Sequence, residues 1–439
     1  MDRNGRRIWA RLTALRAIAP RSATARLGWG IADQAVSSIT NLALGIVVAR
    51  SLSAADFGAF SLAWVTYGVI LNLSRGLATD PLTVRYSGPL DDRWRSAAKR
   101  AASTATALGL VVGALCLLVG LGIGGVVGSA FTALGLTLPG LLLQDSWRIA
   151  FFVAGKGQRA FANDVVWAIS LVPAMLIASS DPTTFGFVLA WGAAAVAAAL
   201  FGCIQTRLVP RMSGIVSWMR EHRDLGPRYL VENVSDSASA QLQMYGLGAI
   251  AGLPAVGAVR GAQILLAPVL ALRMGISLIA VPEAARVIKR WPRRLQAFCL
   301  VLGGSQAAAC LLWGAGLFLL LPPRVGELML GSIWPSASAL IVPTTLAVAA
   351  GALFDGAFVG LRALGVSRRS MPVRVARATA WVIGGIVGAF LGGAAGSVWG
   401  TVAANFLGVA LVWWQLGVAS RANLARVADG SDAAADQLT

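Results

Sequence analysis

Residues 207–228 read RLVPRMSGIVSWMREHRDLGPR. This is the longest polar interruption inside an otherwise apolar chain, and it carries Arg207, Arg211, Arg220, Arg223 and Arg228. Six apolar runs precede it, at about 27–49, 57–80, 102–126, 129–153, 161–179 and 184–206. Six follow it, at about 229–250, 255–281, 297–320, 337–360, 375–391 and 395–418. Each run is about 20 residues long, enough to cross ~30 Å of hydrocarbon as a helix rising ~1.5 Å per residue. A backbone in lipid must satisfy its own hydrogen bonds, so runs of this length are helices. The short alternating segments of a membrane β-barrel are absent.

The fold class read from this pattern is an all-α polytopic membrane protein. Twelve transmembrane helices fall in two six-helix lobes related by a pseudo-two-fold axis along the membrane normal. The expected organisation is a basic tail at 1–26, an N-lobe at 27–206, an interlobe connection at 207–228, a C-lobe at 229–418 and a tail at 419–439. Within the connection, residues 213–220 suggest a short surface helix. Six spans per half bring both halves in from the same side, so the repeat is parallel. Landmarks recur in order: Ser51-Leu52 then Gly58 against Gly252-Leu253 then Gly257, and Arg75 then Pro81 and Arg85 against Arg273 then Pro282 and Arg286.

Charge orients the chain. Of its 37 Lys and Arg residues, Arg50 and Arg324 lie in the odd-numbered connections and Arg75, Arg148, Arg260 and Arg273 inside spans. The other 31 lie in the two tails and the even-numbered connections. The positive-inside rule then places both termini in the cytoplasm. The net charge of +18 is spread over short loops, which argues against nucleic acid and points to anionic membrane lipids as its partner. The tail at 1–26 sets Ile8, Leu12, Leu15 and Ile18 among arginines, as in an interfacial helix or a disordered basic tail. It lacks the cleavage pattern of a signal peptide. Cys116, Cys203, Cys299 and Cys310 all fall in spans without CxxC spacing, and the single histidine, His222, falls in a loop. Neither a metal site nor a histidine relay is expected.

Ala49-Arg50-Ser51-Leu52-Ser53-Ala54-Ala55-Asp56-Phe57-Gly58 joins the first two spans through Arg-x-Leu, a short spacer and Asp-Phe-Gly. It resembles the first hairpin of the polysaccharide transporters, lipid-linked oligosaccharide flippases of the multidrug/oligosaccharidyl-lipid/polysaccharide (MOP) exporter superfamily. Gly326-Glu327-Leu328-Met329-Leu330-Gly331 with Trp334 and Ala337 looks like the loop before that group's tenth helix. Leu143-Gln144-Asp145 with Arg148, Phe151 and Phe152, then Asp164 and Trp167, looks like its fourth and fifth helices. The resemblance covers about 27–420 and is more specific for the superfamily than for a substrate. In the hairpin itself, Arg50 and Asp56 are placed to pair across the turn as a structural clasp, and Gly58 permits close backbone approach.

A charge at mid-bilayer costs ~2.5–3.5 kcal/mol, so each one needs a partner or a cavity. Asp33, Arg75, Asp80, Asp145, Arg148, Asp164, Glu232, Asp236, Arg273 and Asp355 fall in the cytoplasmic third of their spans, and Arg260 lies toward the outer side. Asp33, Ser37 and Asn41 make a polar stripe on helix 1; Glu232, Asp236 and Gln243 make one on helix 7. The simplest placement has these stripes facing each other across a central cavity. Three readings stay open. Arg75, Arg148 and Arg273, with Arg260, form an anion site for a pyrophosphate, because a guanidinium binds phosphate oxygens in pairs. Alternatively, acids and bases close a gate between lobes. Or the arginines bond locally, as Asp145 and Arg148 are spaced to do. The acids outnumber the arginines, so some carboxylates are candidates for H⁺ or Na⁺ coupling, Asp33 and Asp236 first among them.

The resemblance implies a flippase that moves polyprenyl-diphosphate-linked glycan from the cytoplasmic to the outer leaflet for cell-surface polysaccharide synthesis. It implies alternating access without covalent chemistry, catalytic residues or a bound cofactor. It also implies a bacterial inner-membrane location, with glycan polymerase or other envelope proteins as partners. A cation-coupled multidrug exporter of the same superfamily and a non-transporting envelope scaffold are the alternatives.

Overall fold

The computed structural model describes residues 21–86, 90–223, 226–364 and 367–436. Within 21–27, 226–237, 367–371 and 425–436, and at 275, 277–279, 282 and 289, it describes the backbone alone. Every regular element among the described residues is helical. Nine of these helices are long and apolar enough to cross a membrane, or ten if one bent pair is a single span. Their outward faces carry residues such as Ile177, Leu312, Leu320 and Leu391, all more than 70% exposed. On a water-soluble surface such side chains would form large apolar patches; on membrane spans they face lipid.

The first half opens with α1 (Arg21–Ser51) and α2 (Ala54–Ser74). The hairpin between them is closed by Ser53, which caps α2 and donates its hydroxyl to Asp56. Thr184 also donates to Asp56, at 3.2 Å. The expected Arg50–Asp56 clasp is thus replaced by a capping interaction. Local capping wins because a short hydroxyl reaches the first-turn carboxylate without ordering a long arginine side chain.

α2 ends in a π-helical turn, Arg75–Thr79, and continues as α3 (Asp80–Arg85), with Pro81 in its first turn. α4 (Asp92–Ile123) and α5 (Gly125–Val153) form a tight hairpin in which Gly113 and Gly135 let the two backbones touch. α6 (Gly157–Ser180) and α7 (Thr184–Thr206) complete this half. These helices pack chiefly on one another: α4 on α5, α5 on α7, α6 on α7 and α1 on α6.

A short helix, α8 (Ile215–Glu221), follows within the basic connection, where a surface helix was expected. It is clamped to the first half. Trp218 is fully buried, stacks on Tyr86 at 5.8 Å and donates its indole N–H to the Leu77 carbonyl at 3.1 Å. The cause lies four residues beyond Leu77: Pro81 has no N–H to give that carbonyl, so the indole supplies it. Tyr86 and Arg100 each donate to the Glu221 carboxylate at 2.7 Å. His222 packs on Trp218 at 4.0 Å and is buried.

The hydrogen bond from Tyr86 holds the Glu221 carboxyl below its ordinary range, with Arg100 adding to the effect. A depressed carboxyl contributes stability that is complete above its unfolded value and is lost as pH falls through the folded one. Glu221→Gln is therefore expected to lower the thermal midpoint at neutral pH. The effect should be no more than about 1 kcal/mol, the scale of an exposed pair. The gap from wild type should close in acid; a gap that persists there would rule out the charge as its source.

The second half contains α9 (Gly226–Ala251), α10 (Leu253–Leu265), α11 (Ala267–Arg290), α12 (Leu295–Leu320), α13 (Pro323–Leu330), α14 (Trp334–Ser338), α15 (Ile341–Ala363) and α16 (Ser367–Asp436). α10 and α11 bend by 62° at their junction. α16 folds back at Gly392 and Gly393, where Gly393 takes φ +56°. Its two arms lie against each other through Gly384 on Gly400 and Gly388 on Gly396, with no room for a Cβ. Small residues let helices approach this closely where water gives no driving force.

The halves meet through α2 with α9 and α10, and through α1 with α11 and α13. The closest approach joins the two matching sequence landmarks. A Cβ on Gly58 would lie 2.0 Å from the Leu253 carbonyl oxygen, and one on Gly257 would lie 2.7 Å from that of Ala54. This closes one end of the bundle, the hairpin end. The basic connections lie at the other.

Candidate transport cavity

Between the halves lies a cavity of about 440 Å³. Its walls come from α1, α2, α5, α6 and α7 on one side and α10 and α11 on the other. Toward the basic end sits a layer of linked charges. Arg75 is presented by the π-helical turn and donates through Nε and Nη2 to the two Asp145 oxygens, at 3.0 and 2.6 Å. Arg148 donates to Asp33 Oδ2 from Nη2 at 2.5 Å and from Nε at 2.9 Å, and its Nε lies 3.2 Å from Asp164 Oδ2. Gln144 donates to Asp164 at 3.0 Å and to Asn163 at 3.2 Å, and Asn163 donates to the Ala198 carbonyl at 2.8 Å. Three carboxylates thus share two guanidiniums.

The local Asp145–Arg148 pair is not what forms. Each residue reaches a different element, Asp145 to the π-helical turn after α2 and Arg148 to α1 and α6. Asp33 is fully buried behind Arg148, while Asn41 lines the cavity one face further along α1.

Toward the hairpin end the chemistry changes. Trp64 and Trp191 stack at 4.8 Å, and Tyr67 meets Trp191 edge-on at 5.0 Å. Arg260 reaches across from α10, with its guanidinium 5.3 Å over the Trp64 ring. It donates to Gln263 at 3.3 Å and, among the described residues, has no carboxylate within ion-pair distance. A cation–π contact holds this charge in place without neutralising it.

A second cavity, about 540 Å³ and almost wholly apolar, opens between α1 and α11. It is lined by Ile31, Ile39, Pro268, Leu272 and Ile276. Gln34, Ser38, Leu42, Ala267 and Ala271 line both cavities, so the polar chamber runs directly into an apolar slot in the side of the bundle.

The remaining candidates lie elsewhere. Arg273 pairs with Asp355 at 2.6 Å and donates to the Val348 carbonyl at 3.2 Å, inside the second half and away from the chamber. Gln243 faces Ser397 of α16 at 3.0 Å, so the described part of α9 does not oppose α1 as the polar stripes suggested. α9 instead meets α2, where Gln241 and Tyr245 bond Thr66 at 2.7 and 2.6 Å. Glu232 and Asp236 lie outside the described side chains. Trp64, Tyr67, Trp191 and Gln263 line the chamber without having been singled out in the sequence, and buried Asn163 backs it through Gln144, a residue of the fourth-helix motif. The adjacent pairs Gln144-Asp145 and Asn163-Asp164, polar doublets within apolar runs, were the available signal.

No family model matches the chain, and no curated protein sequence does. Solved structures do. An inward-facing multidrug resistance MATE family transporter of the MOP superfamily aligns with a TM-score of 0.64 and 15% identity, over 89% of this chain and 95% of its own. The lipid II flippase MurJ in an inward closed conformation aligns with a TM-score of 0.66 and 12% identity, over 90% of each chain. A MOP superfamily transporter from Pyrococcus furiosus, described as having a binding pocket of reversed polarity, aligns with a TM-score of 0.56 and 14% identity, over 92% and 96%. Identities this low show the fold alone.

Proposed function

We propose that this chain, which has the fold of MOP superfamily transporters, is a flippase of a bacterial inner membrane with twelve spans in two lobes and both termini in the cytoplasm. Its cargo is a polyprenyl-diphosphate-linked oligosaccharide, moved from the cytoplasmic to the outer leaflet by alternating access. The observation that carries this reading is Arg260: a cation without a carboxylate partner among the described residues, set in a polar, aromatic chamber that runs into an apolar side slot. The three parts of such a cargo have matching surroundings. The diphosphate meets Arg260, whose fork suits phosphate oxygens. Sugar faces lie against Trp64, Tyr67 and Trp191. The polyprenyl tail stays in lipid through the slot between α1 and α11.

The charged layer plays a different part. Arg75 and Arg148 are already engaged by carboxylates, so they shape the chamber and do not capture the anion. The surplus carboxylate among Asp33, Asp145 and Asp164 is the place where uptake of H⁺ or Na⁺ would couple to transport. That same surplus favours the second reading, a cation-coupled multidrug exporter.

The test is flipping of a fluorescent lipid-linked diphosphate glycan in proteoliposomes. Loss of a charge-assisted hydrogen bond is worth about 1.5–3 kcal/mol, so Arg260→Gln is expected to slow flipping by about 10- to 100-fold. Arg324→Gln, a basic change outside the chamber, should leave it unaltered. Wild-type rates in Arg260→Gln would defeat the anion assignment. Transport of organic cations by the wild type, with no movement of the lipid-linked glycan, would favour the exporter.

A further inference from the structure

The second half encloses a polar cavity that the transport reading leaves unused. It holds about 240 Å³ between α9, α10, α11, α15 and α16. Gln243, Gln263, Thr344, Trp381, Thr401 and Asn405 stand on its wall. Gln263 and Leu270 line the transport chamber as well, so the two spaces adjoin. Gln263 is also the residue to which Arg260 donates, at 3.3 Å. The cavity therefore begins beside the guanidinium assigned to the diphosphate.

Several polar groups of this wall lack a partner among the described residues. Thr344 and Asn405 are 5% and 1% exposed, yet the Thr344 hydroxyl and Asn405 Oδ1 make no hydrogen bond. Nor does the indole N–H of Trp381. A buried polar group left unpaired costs stability, so native proteins supply it with water or a ligand. The Asn405 amide is held in place, because its Nδ2 donates to the Ala347 carbonyl at 2.9 Å. Gln243 is likewise fixed, donating to Ser397 at 3.0 Å. The wall thus offers oriented amides, a hydroxyl and an indole. Charge does not dominate it: Arg273 is paired with Asp355 at 2.6 Å, and Arg377 has partners of its own. No carboxylate lines the cavity among the described residues. A bare metal cation would meet two arginines there and no counter-charge, and an anion would find both arginines engaged.

We propose that this cavity is a subsite for an uncharged sugar unit of the cargo, the one next to the diphosphate. Sugar hydroxyls both donate and accept, as do the amides and hydroxyls of this wall. A space of this size takes about eight waters at ~30 Å³ each, or one sugar ring whose hydroxyls stand in for them. The assignment rests on the reading of the chain as a carrier of lipid-linked glycan.

The experiment titrates the full-length protein, in a sugar-free detergent, with a short-chain polyprenyl diphosphate that is bare or carries one hexose or N-acetylhexosamine. Calorimetry is expected to show at least one sugar-bearing form binding about tenfold or more tighter than the bare one. Thr344→Val/Asn405→Leu should abolish that gain while the bare diphosphate binds as in the wild type. Arg260→Gln should weaken both forms and keep their ratio. In the wild type, a diazirine on the sugar should label the segment around Thr344 or that around Asn405, a readout independent of how the double variant folds. Three results overturn the subsite and leave the diphosphate assignment standing: binding of the bare form with no gain from any sugar, a gain that survives in the double variant, or labelling confined to the first half. Binding of neither form overturns both.

Discussion

Gly58→Ala is expected to slow transport by about 5- to 150-fold. The added methyl would sit 2.0 Å from the Leu253 carbonyl oxygen, inside any permissible contact and against backbone that has no side-chain rotamer to change. Overpacking of this kind costs about 1–3 kcal/mol. On the alternating-access proposal, the strain falls only on the state in which the two hairpins touch. A coupling of that size shifts a two-state equilibrium by the stated factor. Gly68→Ala is the matched control: it lies on the same helix, and its added Cβ meets nothing within 4 Å. That change should be neutral or slightly stabilising, since alanine suits a helix interior better. Spin labels at Asp181→Cys and Arg324→Cys, both exposed near the hairpin end, report the separation directly. Longer distances are expected in Gly58→Ala and wild-type distances in Gly68→Ala. If the two variants behaved alike, the glycine contact would have no role in closing that end.

Arg148→Met is expected to have the largest effect on stability, a loss of about 3–5 kcal/mol. Asp33 and Asp164 are 0% and 1% exposed, and Arg148 is the ion-pair partner of both. Removing it leaves two buried carboxylates without their counter-charge. The cost is that of the abandoned acids more than of the lost attraction, so it has a specific remedy. Adding Asp33→Asn and Asp164→Asn to Arg148→Met should restore most of the stability, because amides need no counter-charge. Thermal denaturation in mild detergent reads all three forms. A single variant as stable as wild type, or a triple variant no better than the single one, would show that the layer is not held together in this way.

The helical class and nine or ten of the twelve expected apolar spans were legible because lipid exposure imposes long uninterrupted apolar runs, a property of single segments. The match between the Gly58 and Gly257 neighbourhoods was legible too. That each packs on the other's neighbourhood was not, since the contact joins hairpins distant in sequence. The charged residues illustrate the limit. Helical spacing put Asp145 and Arg148 on one face, yet each finds its partner elsewhere, Arg75 in the π-helical turn after α2 and Asp33 on α1. Periodicity gives the direction of a side chain along its own helix and says nothing of which neighbour stands there. Arg273 and Gln243 were drawn into the wrong chamber for the same reason. Arg260 was visible as a charge within an apolar run, but its place over Trp64 depends on the bend between α10 and α11.

The ion pairs Arg75 to Asp145, Arg148 to Asp33 and Asp164, and Arg273 to Asp355 each join groups from the same half. If the halves swing as rigid bodies, no opposite charges in these pairs are pulled apart and no Coulomb work is done on them. The barrier between states is then set by parting apolar and backbone contacts at the hairpins, which are short-ranged and insensitive to salt. Such a hinge releases within a few tenths of a nanometre, so a small rotation is enough to commit the molecule to its other orientation.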